Sequence, residues 1–439
     1  MKKRLRNLSP EVLRSNVAAW FRDRVDFEPV RALAAKKTVP VHRHSWIYLL
    51  GGTALFLFVL QVLSGVLLML YYQPTEAGAY QSVQRIMTTV PLDLPTAAGG
   101  RQTVQPIPLG GLVRSVHAWG ANFFIAVVAL HFLVKLFTRA YRKPRELTWV
   151  SGMLLLFLAL AFGFSGYLLP WNELSYYATR AGTEIPGSIP LVGDWAVQFL
   201  RGGQYVTGDT ITRFYAAHVM LLPLLCSLFL AVHLALIQAQ GMSRPLGMAK
   251  EEVRDAMPFF SEFMLIELSI WLLVFGVIVT LATFMPTEVG IEADRLGDTH
   301  EGVTPEWYFL FMFQTFKILD PAALHVDGEL LEALGVLFFA AVAGFLIAAP
   351  FVDRRALREE KSPRLTMLFM LLVVYAAAFE IWAVVSAGIG HASATSASGG
   401  VSIAGNVVSL AMFWALIGFL VFYLHQLRKE NTRIRRLYH

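Results

Sequence analysis

Long apolar runs, each close to the thickness of a bilayer, alternate with short polar connections along most of this chain. They lie near 46–72, 113–137, 149–170, 214–238, 262–284, 331–350, 365–387 and 403–425. A helix needs roughly 20 apolar residues to cross the hydrocarbon layer, and each run is long enough. Lipid offers no hydrogen-bond partner to an open backbone, so runs this continuous are helices rather than strands. The pattern predicts an all-α integral membrane protein with about eight transmembrane helices.

Composition agrees and sharpens the picture. With 56% hydrophobic and 15% charged residues, the chain lacks the surface of a water-soluble domain. The cations are unevenly spread: residues 1–45 hold eleven of the 37 Lys and Arg, and 29 of the 37 fall on alternate connections. Positive loops stay on the cytoplasmic side, so both termini are expected there, in a bacterial inner membrane. The net charge of +6 is then accounted for by topology, and nucleic acid is not an expected partner. Ser9 to Phe21 reads as an amphipathic helix lying on that surface. One cysteine, Cys226, rules out an intrachain disulfide or an iron–sulfur cluster built from this chain alone; it reads as a small buried hydrophobe.

The chemistry is carried by four histidines in two spans: His117 and His131 in the second, His218 and His233 in the fourth. At about 100° and 1.5 Å per residue, fourteen steps bring His131 back to within about 40° of the face of His117, about 21 Å along the helix. His218 and His233 are fifteen apart, an overshoot of about 60° that a kink at Pro223 would absorb. Since both helices run in the same direction, His117 is level with His218, and His131 with His233. Paired imidazoles from facing helices suit six-coordinate haem iron, giving two haem sites. The blander reading is interhelical hydrogen bonding.

Small residues repeat the same period. Gly51 and Gly65 in the first span, and Gly152 and Gly166 in the third, are fourteen apart, as a macrocycle wedged between helices would require; close helix contact is the simpler use of glycine. Arg114 and Arg213 precede the outer histidines and suit propionate carboxylates, or interfacial anchoring. Lys135 is the inner counterpart, equally explained by snorkelling.

The runs Gln61-Val-Leu-Ser-Gly65, Arg114-Ser-Val-His117-Ala-Trp-Gly-Ala, Lys143-Pro-Arg-Glu-Leu-Thr-Trp149, Gly166-Tyr-Leu-Leu-Pro-Trp171, Thr212-Arg-Phe-Tyr-Ala-Ala-His218 and Pro305-Glu-Trp-Tyr308 resemble cytochrome b of the cytochrome bc and bf complexes over residues 38–387. The first four helices are similar to the plastid type, here joined to the C-terminal half. The resemblance implies a dihaem domain (45–245) and a C-terminal domain (246–388); a cytoplasmic N-terminal segment (1–44) precedes them, and a linker with an extra helix and basic tail (389–439), which matches weakly, follows. It also implies two haem b held by His117, His131, His218 and His233. Related proteins attach a third haem through a cysteine in the first span, and Trp46-Ile-Tyr-Leu-Leu-Gly51 has none. Residues 92–109 look like an insertion, a candidate partner contact.

By the same resemblance, the chain oxidises quinol at the outer face. Glu306, Tyr308 and Tyr167 fall there; a carboxylate among aromatic side chains in a dry pocket gains proton affinity and suits a proton acceptor. An interfacial aromatic belt with an exposed glutamate is the structural alternative. Implied partners are a Rieske iron–sulfur protein, a c-type cytochrome, quinone, membrane lipid and a second copy of the chain in a homodimer. One electron passes to the Rieske protein, and the other goes by way of the b haems to an inner quinone, with protons translocated. Asp255, Glu262, His42 and His44 are weak candidates for the inner quinone pocket. Two other functions remain open: a dihaem anchor cytochrome serving a dehydrogenase, and a transporter with a histidine proton relay.

Overall fold

The computed structural model describes residues 19–20, 28, 37–42, 44–88, 92–95, 101–104, 109–246, 248, 255–295, 305–318, 326–360, 362–393, 411, 414 and 418. Seven helices among them are long and apolar enough to cross a membrane: Ser45–Met69, Leu109–Phe137, Glu146–Tyr167, Gly208–Gln240, Phe259–Phe284, Gly328–Arg358 and Pro363–Ser386. The protein is therefore a polytopic helical membrane protein, as its hydropathy requires. The expected eighth span and the amphipathic N-terminal helix lie almost wholly outside the described residues. Of the former, Ala411, Trp414 and Gly418 are helical, as are Ala19 and Trp20 of the latter.

The chain divides into two compact units, one of residues 1–46 with 248–273, the other of 47–247 with 274–439. In the first, β1 (Thr38–Val41) pairs antiparallel with β4 (Asp255–Pro258), Thr38 opposite Pro258 and Val41 opposite Asp255. Ser45 turns the chain out of the strand: its hydroxyl accepts from the His42 amide at 2.8 Å and donates to the His42 carbonyl at 2.8 Å. His42 is buried, and its Nδ1 accepts from the His44 amide at 3.1 Å.

The second unit is built on α1 (Leu49–Met69) against α3 (Leu109–Phe137) and α4 (Glu146–Tyr167) against α8 (Leu222–Gln240). Their shared core includes Leu57, Val116, Phe124, Ile125, Ala159 and Cys226. The expected apolar role of Cys226 is what burial gives it. Short helices α2 (Ala79–Met87), α5 (Glu173–Glu184) and α6 (Gly193–Arg201) fill the connections, and α7 (Gly208–Ala216) opens the fourth span. Residues 92–109 include a hairpin, β2 (Leu92–Pro95) with β3 (Arg101–Val104). Helix α9 (Met264–Phe284) begins in the first unit and ends in the second. Then α10 (Trp307–Ile318) packs on α11 (Gly328–Val352) and α12 (Pro363–Ser393).

A buried ion pair ties the two halves of this unit together. Arg139 Nε lies 2.9 Å from Asp353 Oδ2, both almost inaccessible. The carboxylate also accepts from Tyr141 Oη at 2.9 Å, the Ala356 amide at 3.2 Å and the Ser362 hydroxyl. Arg139 further donates to Thr366 Oγ1 at 2.7 Å and the Leu136 carbonyl at 2.9 Å. A charge pair repays its desolvation only when its remaining hydrogen-bonding capacity is met, and here it is. The run Lys143–Trp149 forms a second joint. Arg145 Nη2 donates to the Gln240 carbonyl at 2.9 Å at the end of α8, and Trp149 Nε1 to the Leu346 carbonyl at 2.8 Å. A cation at a helix C-terminus is favoured by the orphan carbonyls there.

Candidate functional site

The four intramembrane histidines come together as two pairs at two depths. The ring centroids of His117 and His218 are 6.4 Å apart. Two metal–imidazole bonds of about 2.0–2.1 Å each, plus the half-widths of two rings, separate opposed imidazole centroids by roughly 6 Å. The His117–His218 pair is therefore spaced for one metal ion between them. At the other level His131 and His233 lie within electrostatic reach of each other, with Lys135 beside both.

Each predicted glycine faces one of these rings. A β-carbon at Gly65 would lie 3.3 Å from His117 Cε1, at Gly166 2.6 Å from His218 Cε1, at Gly51 3.3 Å from His131 Cε1, and at Gly152 3.1 Å from His233 Cε1. The fourteen-residue period of the glycines thus matches the histidines directly: each imidazole is seated in the notch left by a missing side chain. The ring spacing of His117 and His218 and the notches behind all four rings fit haem held by paired histidines.

The offset of the fifteen-residue spacing is taken up by a π-helical turn, Ala217–Leu221, around His218 itself. The Leu222 amide donates to the Ala217 carbonyl five residues back, so one extra residue enters the turn and fifteen steps do the work of fourteen. Pro223 follows at once. Lacking an N–H, it cannot close the ordinary α-helical bond there, so the compensation is a bulge next to the proline as well as any bend.

Sequence reasoning missed three serines. Ser64 Oγ is 2.9 Å from His117 Nδ1, Ser165 Oγ 3.0 Å from His218 Nδ1, and Ser151 Oγ 2.9 Å from His233 Nδ1. Each hydroxyl donates its own proton to a carbonyl one turn back: Ser64 to Leu60 at 2.7 Å, Ser165 to Ala161 at 2.7 Å, Ser151 to Thr148 at 3.0 Å. Its oxygen must then accept from the imidazole. That puts the ring proton on Nδ1 and leaves the Nε2 lone pair free for a metal. The signal was present as a Ser-Gly doublet at 64–65, 151–152 and 165–166.

A third cluster adjoins the His117–His218 level. Trp307 is fully buried and its Nε1 donates to Asn122 Oδ1 at 2.8 Å, which pins the start of α10 against α3. Tyr308 turns toward α4, where a β-carbon at Gly163 would lie 2.6 Å from its hydroxyl. Glu306 is partly accessible in a densely packed surround, and burial pushes its carboxyl up to about 7. Burial, and then the Glu306 charge, push the Tyr308 phenol well above its ordinary value. Tyr167 lies within electrostatic reach of both. Gly163, like the serines, was not anticipated; a glycine inside an apolar helix carries no mark of what occupies its notch.

The two arginines have defined partners. Arg114 Nη1 donates to the Thr287 carbonyl at 2.6 Å, and Nη2 to the Glu288 carbonyl at 3.3 Å. Arg213 Nη1 donates to the Phe199 carbonyl at 2.8 Å, near the C-terminus of α6. Asp255 stands in β4 and Glu262 in the following π turn.

The chain also has recognisable relatives. It matches the family descriptions "Cytochrome b/b6/petB" over residues 35–94, "Cytochrome b(N-terminal)/b6/petB" over 122–291 and "Cytochrome b(C-terminal)/b6/petD" over 292–413. A cytochrome bc complex cytochrome b subunit of Chlorobaculum thiosulfatiphilum is 40% identical over 364 residues, 82% of this chain and 79% of that one. The chain belongs to the cytochrome b family. Cytochrome b6 of Gloeobacter violaceus is 39% identical over 232 residues, 53% of this chain and all of that one. A solved structure titled "Hyperthermophilic respiratory Complex III" matches with a TM-score of 0.66 and 29% identity, covering 90% of this chain and 96% of that chain. This cytochrome b is thus an electron-transport subunit of a cytochrome bc-type complex, its N-terminal and petD-like halves fused in one chain, and haem b is the cofactor its family implies.

Proposed function

We propose that this cytochrome b holds two haem b and oxidises quinol at the outer membrane face, in a complex with a Rieske protein and a c-type cytochrome. His117 with His218 would ligate the outer haem, and His131 with His233 the inner one. Bound there, the two groups supply one-electron carriers between the membrane faces, toward a quinone on the inner side. The terminal acceptor is a c-type cytochrome or a plastocyanin-like protein. The reading places both termini in the cytoplasm, pairs the chain in a homodimer and couples turnover to proton translocation. It divides the chain at 1–44, 45–245, 246–388 and 389–439.

The observation that carries the quinol site is the placement of Glu306 with Tyr308 and Tyr167 beside Gly166, the seat of His218. A carboxyl titrating near 7 takes a proton from a quinol hydroxyl at neutral pH and can release it again without a large penalty. Tyr308, held protonated by its surroundings, offers a hydrogen-bond donor to a quinone oxygen. Trp307, locked to Asn122, fixes the carboxylate and phenol on either side of it. Replacing Glu306 by Gln in membranes and measuring quinol:cytochrome c reductase activity tests the assignment. A loss of about 10²–10⁴-fold is the range expected for a general base, and full turnover would remove Glu306 from the site.

A further inference from the structure

The two histidine levels are not equivalent. At the outer level both rings are hydrogen-bonded through Nδ1, His117 to Ser64 and His218 to Ser165. At the inner level only His233 is, through Ser151. The Nδ1 of His131 is buried and has no hydrogen-bond partner among the described residues. The reason can be read along the chain. Each of the other rings sits in a glycine notch preceded by serine, whereas Gly51, which seats His131, is preceded by Leu50.

Building on the haem assignment above, we propose that position 50 is a tuning position that sets the potentials of the two haems apart. An imidazole that donates its Nδ1–H becomes a more basic ligand, and a more basic ligand favours ferric over ferrous iron, lowering the potential. Two such ligands act on the outer haem and one on the inner. Leu50 withholds the fourth bond, so a haem held at the inner site would have the higher potential of the two. Leu50 touches no reacting atom; it acts through His131.

The test is a redox titration of purified complex carrying Leu50→Ser, with Leu50→Ala as the size control and haem content measured on each sample. Leu50→Ser is expected to lower the inner midpoint relative to Leu50→Ala and to shift the inner low-spin ferric EPR signal, while the outer midpoint stays put. The reciprocal variants Ser151→Ala and Ser64→Ala are expected to raise the inner and the outer midpoint respectively, and they keep the proposal testable should Leu50→Ser fail to assemble. Two haems per chain with midpoints indifferent to all three changes would overturn this inference alone. Protein without haem would overturn the haem assignment with it.

Discussion

The Tyr308 hydroxyl occupies the notch at Gly163: a β-carbon there would lie 2.6 Å from it, and the nearest ring carbons at 2.8 and 2.9 Å. No real β-carbon tolerates such contacts, so any side chain at 163 must move Tyr308. Displacing a positioned group by about 1 Å can cost on the order of 10²-fold in rate. Gly163→Ala is therefore expected to lower quinol oxidation about tenfold to a hundredfold while haem content stays at the wild-type level. Steady-state turnover beside a reduced-minus-oxidised spectrum checks this; unaltered turnover would separate Tyr308 from the site.

The pH dependence of the reaction should report Glu306. Burial raises its carboxyl from 4.5 to about 7, so the ionised form that accepts a proton accumulates only as pH rises through about 7. Turnover should climb across that window, and the Glu306→Gln enzyme should show a low, flat profile there. Stability runs the opposite way. The unfolded carboxyl gives up its proton first, near 4.5, so this group destabilises the fold progressively from there up to about 7, then by a constant amount. Thermal unfolding of the two proteins across pH 4 to 8 should show that difference closing on the acid side.

The glycine seats predict an order. The room for a β-carbon is 2.6 Å at Gly166, 3.1 Å at Gly152, and 3.3 Å at Gly65 and Gly51. Alanine at Gly166 should cost the outer haem most severely, Gly152→Ala should weaken the inner one, and the other two should be mildest. Haem-to-protein ratios of the four purified variants measure this; equal retention in all four would mean the notches do not constrain the rings.

Asp353 accepts from Arg139, Tyr141, Ser362 and the Ala356 amide in a nearly inaccessible cluster. Removing one partner of a buried pair strands the other charge and costs about 3–5 kcal/mol. Asp353→Ala should lower the unfolding temperature in detergent sharply. By contrast Arg244 and Glu359 are 3.9 Å apart with Glu359 exposed, and surface pairs contribute about 0–1 kcal/mol, so Glu359→Gln should change little.

Much of this was legible in the residues because lipid imposes a severe rule. Every spanning segment must be long, apolar and helical, so seven of the spans are visible in hydropathy, most of their ends to within a few residues. The histidine and glycine periods follow from helix geometry in the same way. The short helices α2, α5 and α6 were not visible, since with 9, 12 and 9 residues each is too short for periodicity to build up. Nor was the pairing of Thr38–Val41 with Asp255–Pro258, whose strands are more than 200 residues apart. Around His218 the fifteen-residue spacing flagged an irregularity, but a π bulge and a proline bend leave the same trace in sequence. Serine before glycine looks like ordinary small-residue helix packing until the partner ring is in place.

Each chain is expected to carry two haem b at different depths in the membrane, ligated by His117 with His218 and by His131 with His233. A pyridine haemochrome assay counts the haem in the purified protein and in each histidine-to-leucine variant, and a redox titration of the same samples identifies which of the two is missing. Two haems per chain are expected, with the same haem lost from the His117 and His218 variants and the other from the His131 and His233 variants. A full complement of haem in any of these four variants would contradict that ligation.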